Sequence, residues 1–205
     1  MLESLERTMR NVMDMTWPMI VVSVLCITSI RLVYLIKNKE KFVFYREVLM
    51  LFFIIYILCL FQVVTFQDVS SHGGTSNFSL FTEIFRYRFG SRLFLKNVIG
   101  NMLLFIPYGF FVSYYVKPKK IWLPFFLTLF ASLSIETTQL LIGRVFDVDD
   151  ILLNVLGGLI GYSIYLLIAK IRSYLPEFFQ KPWLLNIASV LLIVLFVGYI
   201  YMVVL

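Results

Sequence analysis

Six uninterrupted apolar blocks, each close to twenty residues long, run through this 205-residue chain, at 17–36, 48–66, 98–116, 121–142, 151–169 and 183–205. A helix needs about 20 mostly apolar residues to cross the hydrocarbon core of a bilayer. Inside lipid, only a helix or a closed barrel satisfies every backbone polar group. These blocks are continuous and do not alternate, which favours helices over strands. The chain therefore reads as all-α: a polytopic transmembrane helix bundle of about six helices, forming a single integral membrane domain over 1–205. The mean hydropathy of +0.90 points the same way.

Charged residues make up 15 % of the chain and cluster between the blocks. A formal net charge of +6 could suggest nucleic acid, but basic residues also collect in cytoplasmic loops. With the loop after the first block placed in the cytoplasm, stretches 37–46, 117–120 and 170–181 carry ten basic residues against seven on the other side. Arg31 lies near the end of the first helix and can snorkel. That bias predicts a multi-pass membrane protein with both termini outside and no nucleic-acid partner. The opening residues "MLESLERTMRNVMDM" are mixed in charge, unlike a secretory signal, so the first block reads as a retained helix. Cys26 and Cys59 sit inside apolar blocks, which predicts no disulfide and no Cys-based metal site. His72 is the only histidine, which excludes a histidine-rich site.

On this topology the intramembrane polar residues collect at one level. Asn97 and Asn101 are four apart on the third helix, and Glu136 and Gln139 three apart on the fourth; each pair shares a face. Asp150, Asn154, Gly157 and Gly161 form one stripe on the fifth helix. The third helix enters from outside, the fourth returns and the fifth re-enters, so all three polar ends face outward. A charge at a helix centre costs about 2.5–3.5 kcal/mol to insert, so Glu136 should face protein or trapped water. The expected result is an outward-facing pocket of Asn97, Asn101, Glu136, Gln139, Arg144, Asp147, Asp150 and Asn154.

The runs "NVIGNMLLFIPYGFFV" and "SIETTQLLIGRVFDVDDILLNVLGGLIGY", with their spacing, resemble the VanZ-like membrane protein family over 77–168. That leaves 183–205 as an additional C-terminal transmembrane helix. The matching positions are Asn97, Asn101, Pro107, Gly109, Glu136, Gln139, Arg144, Asp147, Asp150, Asn154, Gly157 and Gly158. Family members often carry a proline in the segment "NFSLFTEI", where Leu80 stands here. The resemblance implies a protein that lowers the action of glycopeptide antibiotics, notably teicoplanin, at the cell surface. It implies no defined reaction.

The expected function is recognition of an envelope molecule: a lipid, a lipid-linked wall precursor, or the lipid tail of a lipoglycopeptide. Glu136, Arg144, Asp147 and Asp150 would form the core, with Asn97, Asn101, Gln139 and Asn154 orienting it. Two other readings stay open. The chain could be an enzyme modifying an envelope lipid or precursor, with Glu136, Asp147 and Asp150 as acid–base candidates. Alternatively, the cluster could only hold helices together: Arg144 can clamp a carboxylate through two hydrogen bonds, and Asp150 suits a helix cap. "DVDD" lacks the glycine and alternating oxygens of a calcium loop, so no metal and no cofactor is expected, and membrane lipids are the expected partners.

Two structural expectations complete the reading. Phe81, Ile84, Phe85 and Phe89, with Arg86, Arg88 and Arg92 between them, suit an amphipathic segment in the headgroup layer. An irregular loop packed over the bundle is the alternative. Gly157 and Gly161 allow close helix approach, Pro107 should kink the third helix, and Gly109 should admit a neighbour.

Overall fold

A computed structural model of the protein describes residues 2–66, 76–77 and 79–204. The polar start of the connection after the second apolar block, with His72 and most of "QDVSSHGGTSN", lies outside the described residues, as does Phe78. The architecture is all-α, as the apolar blocks predict. Its long helices are α1 (Leu2–Asn38), α2 (Phe44–Phe66), α5 (Gly100–Val116), α6 (Trp122–Leu141), α7 (Val148–Tyr174) and α8 (Pro182–Val204). Short helices α3 (Thr82–Arg86) and α4 (Arg92–Phe94) precede a π-turn at Leu95–Ile99 that runs into α5, and a 3₁₀ turn at Glu177–Gln180 precedes α8. The one extended pairing among the described residues is parallel and two residues long: β1 (Ser76–Asn77) against β2 (Phe146–Asp147).

Among the described residues, four helical stretches are long and apolar enough to cross a membrane: Trp17–Asn38, Phe44–Val63, Arg92–Val116 and Val148–Tyr174. The six blocks all become helices, but the count of six spans does not follow. Helix α6 is twenty residues long, yet Glu136, Gln139 and its serines and threonines lower its hydropathy. In α8 the described apolar stretch is the shorter Pro182–Leu195.

The chain packs as two compact units. The first comprises Met1–Gln62 and Tyr174–Leu205. Within it, Arg31 grips Glu47 through two hydrogen bonds, from Nε at 3.0 Å and a terminal nitrogen at 3.1 Å. The Tyr45 N–H donates to Asn186 Oδ1 at 3.0 Å, tying α2 to α8.

The second unit, Val63–Ser173, contains the polar positions named above. Its contacts give the helix directions. Asn154 meets Ser132, and Gly158 meets Thr128, so α6 runs antiparallel to α7. Asn101 meets Asp150 and Gly109 meets Gly158, so α5 and α7 run parallel. The Tyr108 hydroxyl donates to the Leu127 carbonyl at 3.2 Å, joining α5 to α6.

Lipid tails are as apolar as leucine, so packing and hydrogen bonds must hold such helices together. Glycine provides the packing between α5 and α7. A Cβ added at Gly109 would overlap the Gly158 carbonyl, and one at Gly157 or Gly161 would overlap the backbone of α5 at Met102 or Ile106. Gly158 faces Thr128 of α6 as well, where a Cβ would lie 2.5 Å from the threonine side chain. Pro107 lies within α5 without ending it. The buried Ser113 and Thr128 hydroxyls return to their own helices, bonding the carbonyls of Gly109 and Pro124.

Candidate functional site

Helix α6 ends in a way that aims the following chain back at its own last turns. Gly143 has φ +83°, the left-handed conformation in which glycine carries no steric penalty. The Gly143 N–H bonds the Leu140 carbonyl at 3.1 Å, and the Arg144 N–H bonds the Gln139 carbonyl at 2.9 Å. This pair of bonds is the Schellman helix stop. The chain then turns through β2, and the Asp147 N–H donates to Glu136 Oε2 at 3.1 Å.

Helix α7 starts immediately afterwards. Asp147 is its N-cap: Oδ1 accepts the Asp149 N–H at 2.9 Å, satisfying one of the free donors at a helix start. The sequence had suggested Asp150 for that role. Asp150 instead sits in the first turn with its carboxylate turned to α5, where it accepts from Asn101 Nδ2 at 2.5 Å. It still benefits from the positive end of the helix dipole. One turn on, Asn154 Nδ2 donates to Ser132 Oγ at 2.9 Å inside the core.

The structure thus brings Asn101, Glu136, Asp147, Asp150 and Asn154 together at one end of α5, α6 and α7. Arg144, Asp147 and Asp150 all lie within electrostatic range of the Glu136 carboxylate. Gln139 is buried one turn beyond Glu136. Asn97 is half-buried in the π-turn, whose wider winding sets it off the register of α5, and its side chain bonds no described residue. π-turns often mark functional positions in helices.

Glu136 is the centre of this arrangement. It is 1 % exposed, and its Oε2 takes the Asp147 N–H while Oε1 has no hydrogen-bond partner among the described residues. Buried polar atoms are nearly always paired, so this oxygen is an exception among the described residues. Around it, Arg144, Asp147, Asp150, Asn97 and Asn101 are only half-buried, which leaves the site approachable from its end. Among the described residues, no group of three or more His, Cys, Asp and Glu side chains could hold a metal ion.

Three contributors were not foreseen. Asp149 is 0 % exposed, and its carboxylate accepts the Phe81 N–H at 2.6 Å and the Ile84 N–H at 3.4 Å, capping α3 from a distant part of the chain. Phe81 has φ +66°, an uncommon conformation for an aromatic residue, and this bond helps to hold it. Asn77 pairs in register with Asp147, and its Nδ2 lies 3.5 Å from Asp147 Oδ2. Ser132 is the buried partner of Asn154. Asp149 was visible as part of "DVDD", whereas Ser132 carried no signal beyond residue type.

A model of the VanZ/LLP1 family matches residues 48–169 of the chain, starting earlier than the 77–168 stretch on which the sequence resemblance rests. That span covers α5, α6, most of α7 and every residue of the site. No curated protein and no solved structure matches.

Proposed function

This chain belongs to the VanZ/LLP1 family, a family linked to glycopeptide resistance, and on that premise we propose that it lowers teicoplanin-type glycopeptide action at the bacterial cell surface. The polar end of α5, α6 and α7 recognises an envelope molecule: a lipid, a lipid-linked wall precursor, or the lipid tail of a lipoglycopeptide. The site faces outward, in keeping with the distribution of basic residues between the loops. The carrying observation is Glu136, a buried carboxylate with one oxygen that no described residue bonds and a half-buried polar rim. In this reading Glu136 and Asp150 accept donors from the ligand, Arg144 meets an anionic group, and Asn97 and Asn101 orient it.

A second reading has its own support. Asp147, Asp149, Asp150 and Asn154 each bond another part of the unit, as members of a structural clasp would.

Replacing Glu136 by Gln and Arg144 by Ala in a sensitive host, while measuring membrane abundance and susceptibility, separates the two. Normal abundance with lost resistance supports the recognition site, and lost abundance with lost resistance supports the clasp. Comparison of teicoplanin with vancomycin tests whether a lipid tail matters. Mass analysis of envelope lipids and wall precursors tests for chemical modification, and an altered species would replace recognition by catalysis.

A further inference from the structure

The segment between β1 and α5 carries a surface that the polar site does not use. Phe85 is 81 % exposed and Phe89 87 % exposed, and Leu80, Phe81, Leu93 and Leu95 are exposed beside them. In sequence the same stretch carries Arg86, Arg88, Arg92 and Lys96 against a single acid, Glu83. Arg88 and Arg92 are exposed. The segment is two short helices joined by a turn at Gly90, with φ +76°, and not one amphipathic helix.

Its depth follows from the helix that it feeds. The stretch Arg92–Val116 has 25 residues. At 1.5 Å per residue it spans about 37 Å, against about 30 Å for the hydrocarbon core. The first turns, with Arg92 and Lys96, therefore stand at headgroup level. The aromatic residues just before them are confined to that layer, where apolar rings enter the acyl boundary and guanidinium groups meet phosphate.

We propose that segment 80–95 is a docking surface for anionic phospholipid headgroups, held at a fixed position beside the polar site by the Asp149 carboxylate. The partner is lipid because the face pairs bulky exposed apolar side chains with a net excess of arginine, and anionic headgroups complement both. The hydrogen bonds from Phe81 and Ile84 to Asp149, together with the β1–β2 pairing, tie this surface to the start of α7. The inference does not depend on what the polar site binds; it depends on α5 crossing the bilayer.

The test uses the full chain in nanodiscs of phosphatidylcholine, with or without phosphatidylglycerol. A nitroxide at Phe89→Cys, in a Cys26→Ala and Cys59→Ala background, should collide more readily with oxygen than with a water-soluble nickel chelate. Free access to nickel would overturn the proposal. So would spin–spin broadening between copies in both lipids, which would make the face a contact between chains. Native mass spectrometry then reads headgroup choice. Arg88→Ala with Arg92→Ala should lower retention of phosphatidylglycerol relative to phosphatidylcholine roughly twenty-five-fold, about five-fold for each charge. Equal preference in wild type and double variant, with unchanged melting temperature, would also overturn it.

Discussion

Asp149, sealed at the start of α7, accepts the backbone N–H of Phe81 at 2.6 Å across 68 positions of chain. A side chain in the acidic run of one helix thereby fixes a distant segment beside the site. The contact makes the second unit more than three packed helices, because the stretch before α5 is stitched to the start of α7.

Removing that carboxylate should loosen the stitch. Asp149→Ala leaves the Phe81 and Ile84 N–H groups without their acceptor, and losing these part-buried bonds to a carboxylate should cost about 1.5–3 kcal/mol, mostly from the shorter Phe81 bond. Asp149→Asn keeps an acceptor oxygen and should recover about half of the loss. Thermal unfolding in detergent checks both, and an Ala variant as stable as wild type would remove Asp149 from this role.

The glycine contacts predict a sharp positional dependence. Gly109→Ala and Gly157→Ala should each destabilise by about 1–3 kcal/mol or more, because backbone of the facing helix stands where the new methyl would go. Gly198→Ala in α8 meets nothing within 4 Å, and should be neutral or stabilising by about 0.5–1 kcal/mol from helix propensity. Similar melting temperatures for all three variants would contradict close approach of α5 and α7.

Asn101 and Asp150 should be energetically coupled. A hydrogen bond to a charged group is worth about 1.5–3 kcal/mol, so the double-mutant cycle with Asn101→Ala and Asp150→Ala should show a coupling of that size. Unfolding free energies of the four proteins give the value. Strict additivity would mean that the two side chains do not meet in solution.

Orientation has a direct readout. Val145 is exposed in the turn beside the site. In a Cys26→Ala and Cys59→Ala background, Val145→Cys should react with a membrane-impermeant maleimide added to intact cells. Labelling only after lysis would place the polar end in the cytoplasm and overturn action at the outer face.

Much of the local order was legible in the residues. The apolar blocks gave the helices, and the spacing of Glu136 with Gln139 put that pair on one face, whereas the π-turn takes Asn97 off the register that a four-residue spacing to Asn101 implied. The stripe of Asp150, Asn154, Gly157 and Gly161 marked the face of α7 that packs. The span count was less legible, because the polar residues that make α6 interesting also lower its hydropathy below that of a clear membrane helix. The capping role went to the wrong aspartate, since "DVDD" offers three acids and the helix start is fixed only by where β2 ends.

The sequence by itself determined that the chain is helical and apolar, and which residues each helix turns toward its neighbours, because helical periodicity is a property of consecutive residues. Only the tertiary structure decided the partners: Asp149 with Phe81, Asp147 with Glu136 and Asn77, and Asn154 with Ser132. Several of those bonds end on a backbone N–H, which every residue but proline carries and which therefore leaves no mark in a sequence. Direction and distance in space select which one is used.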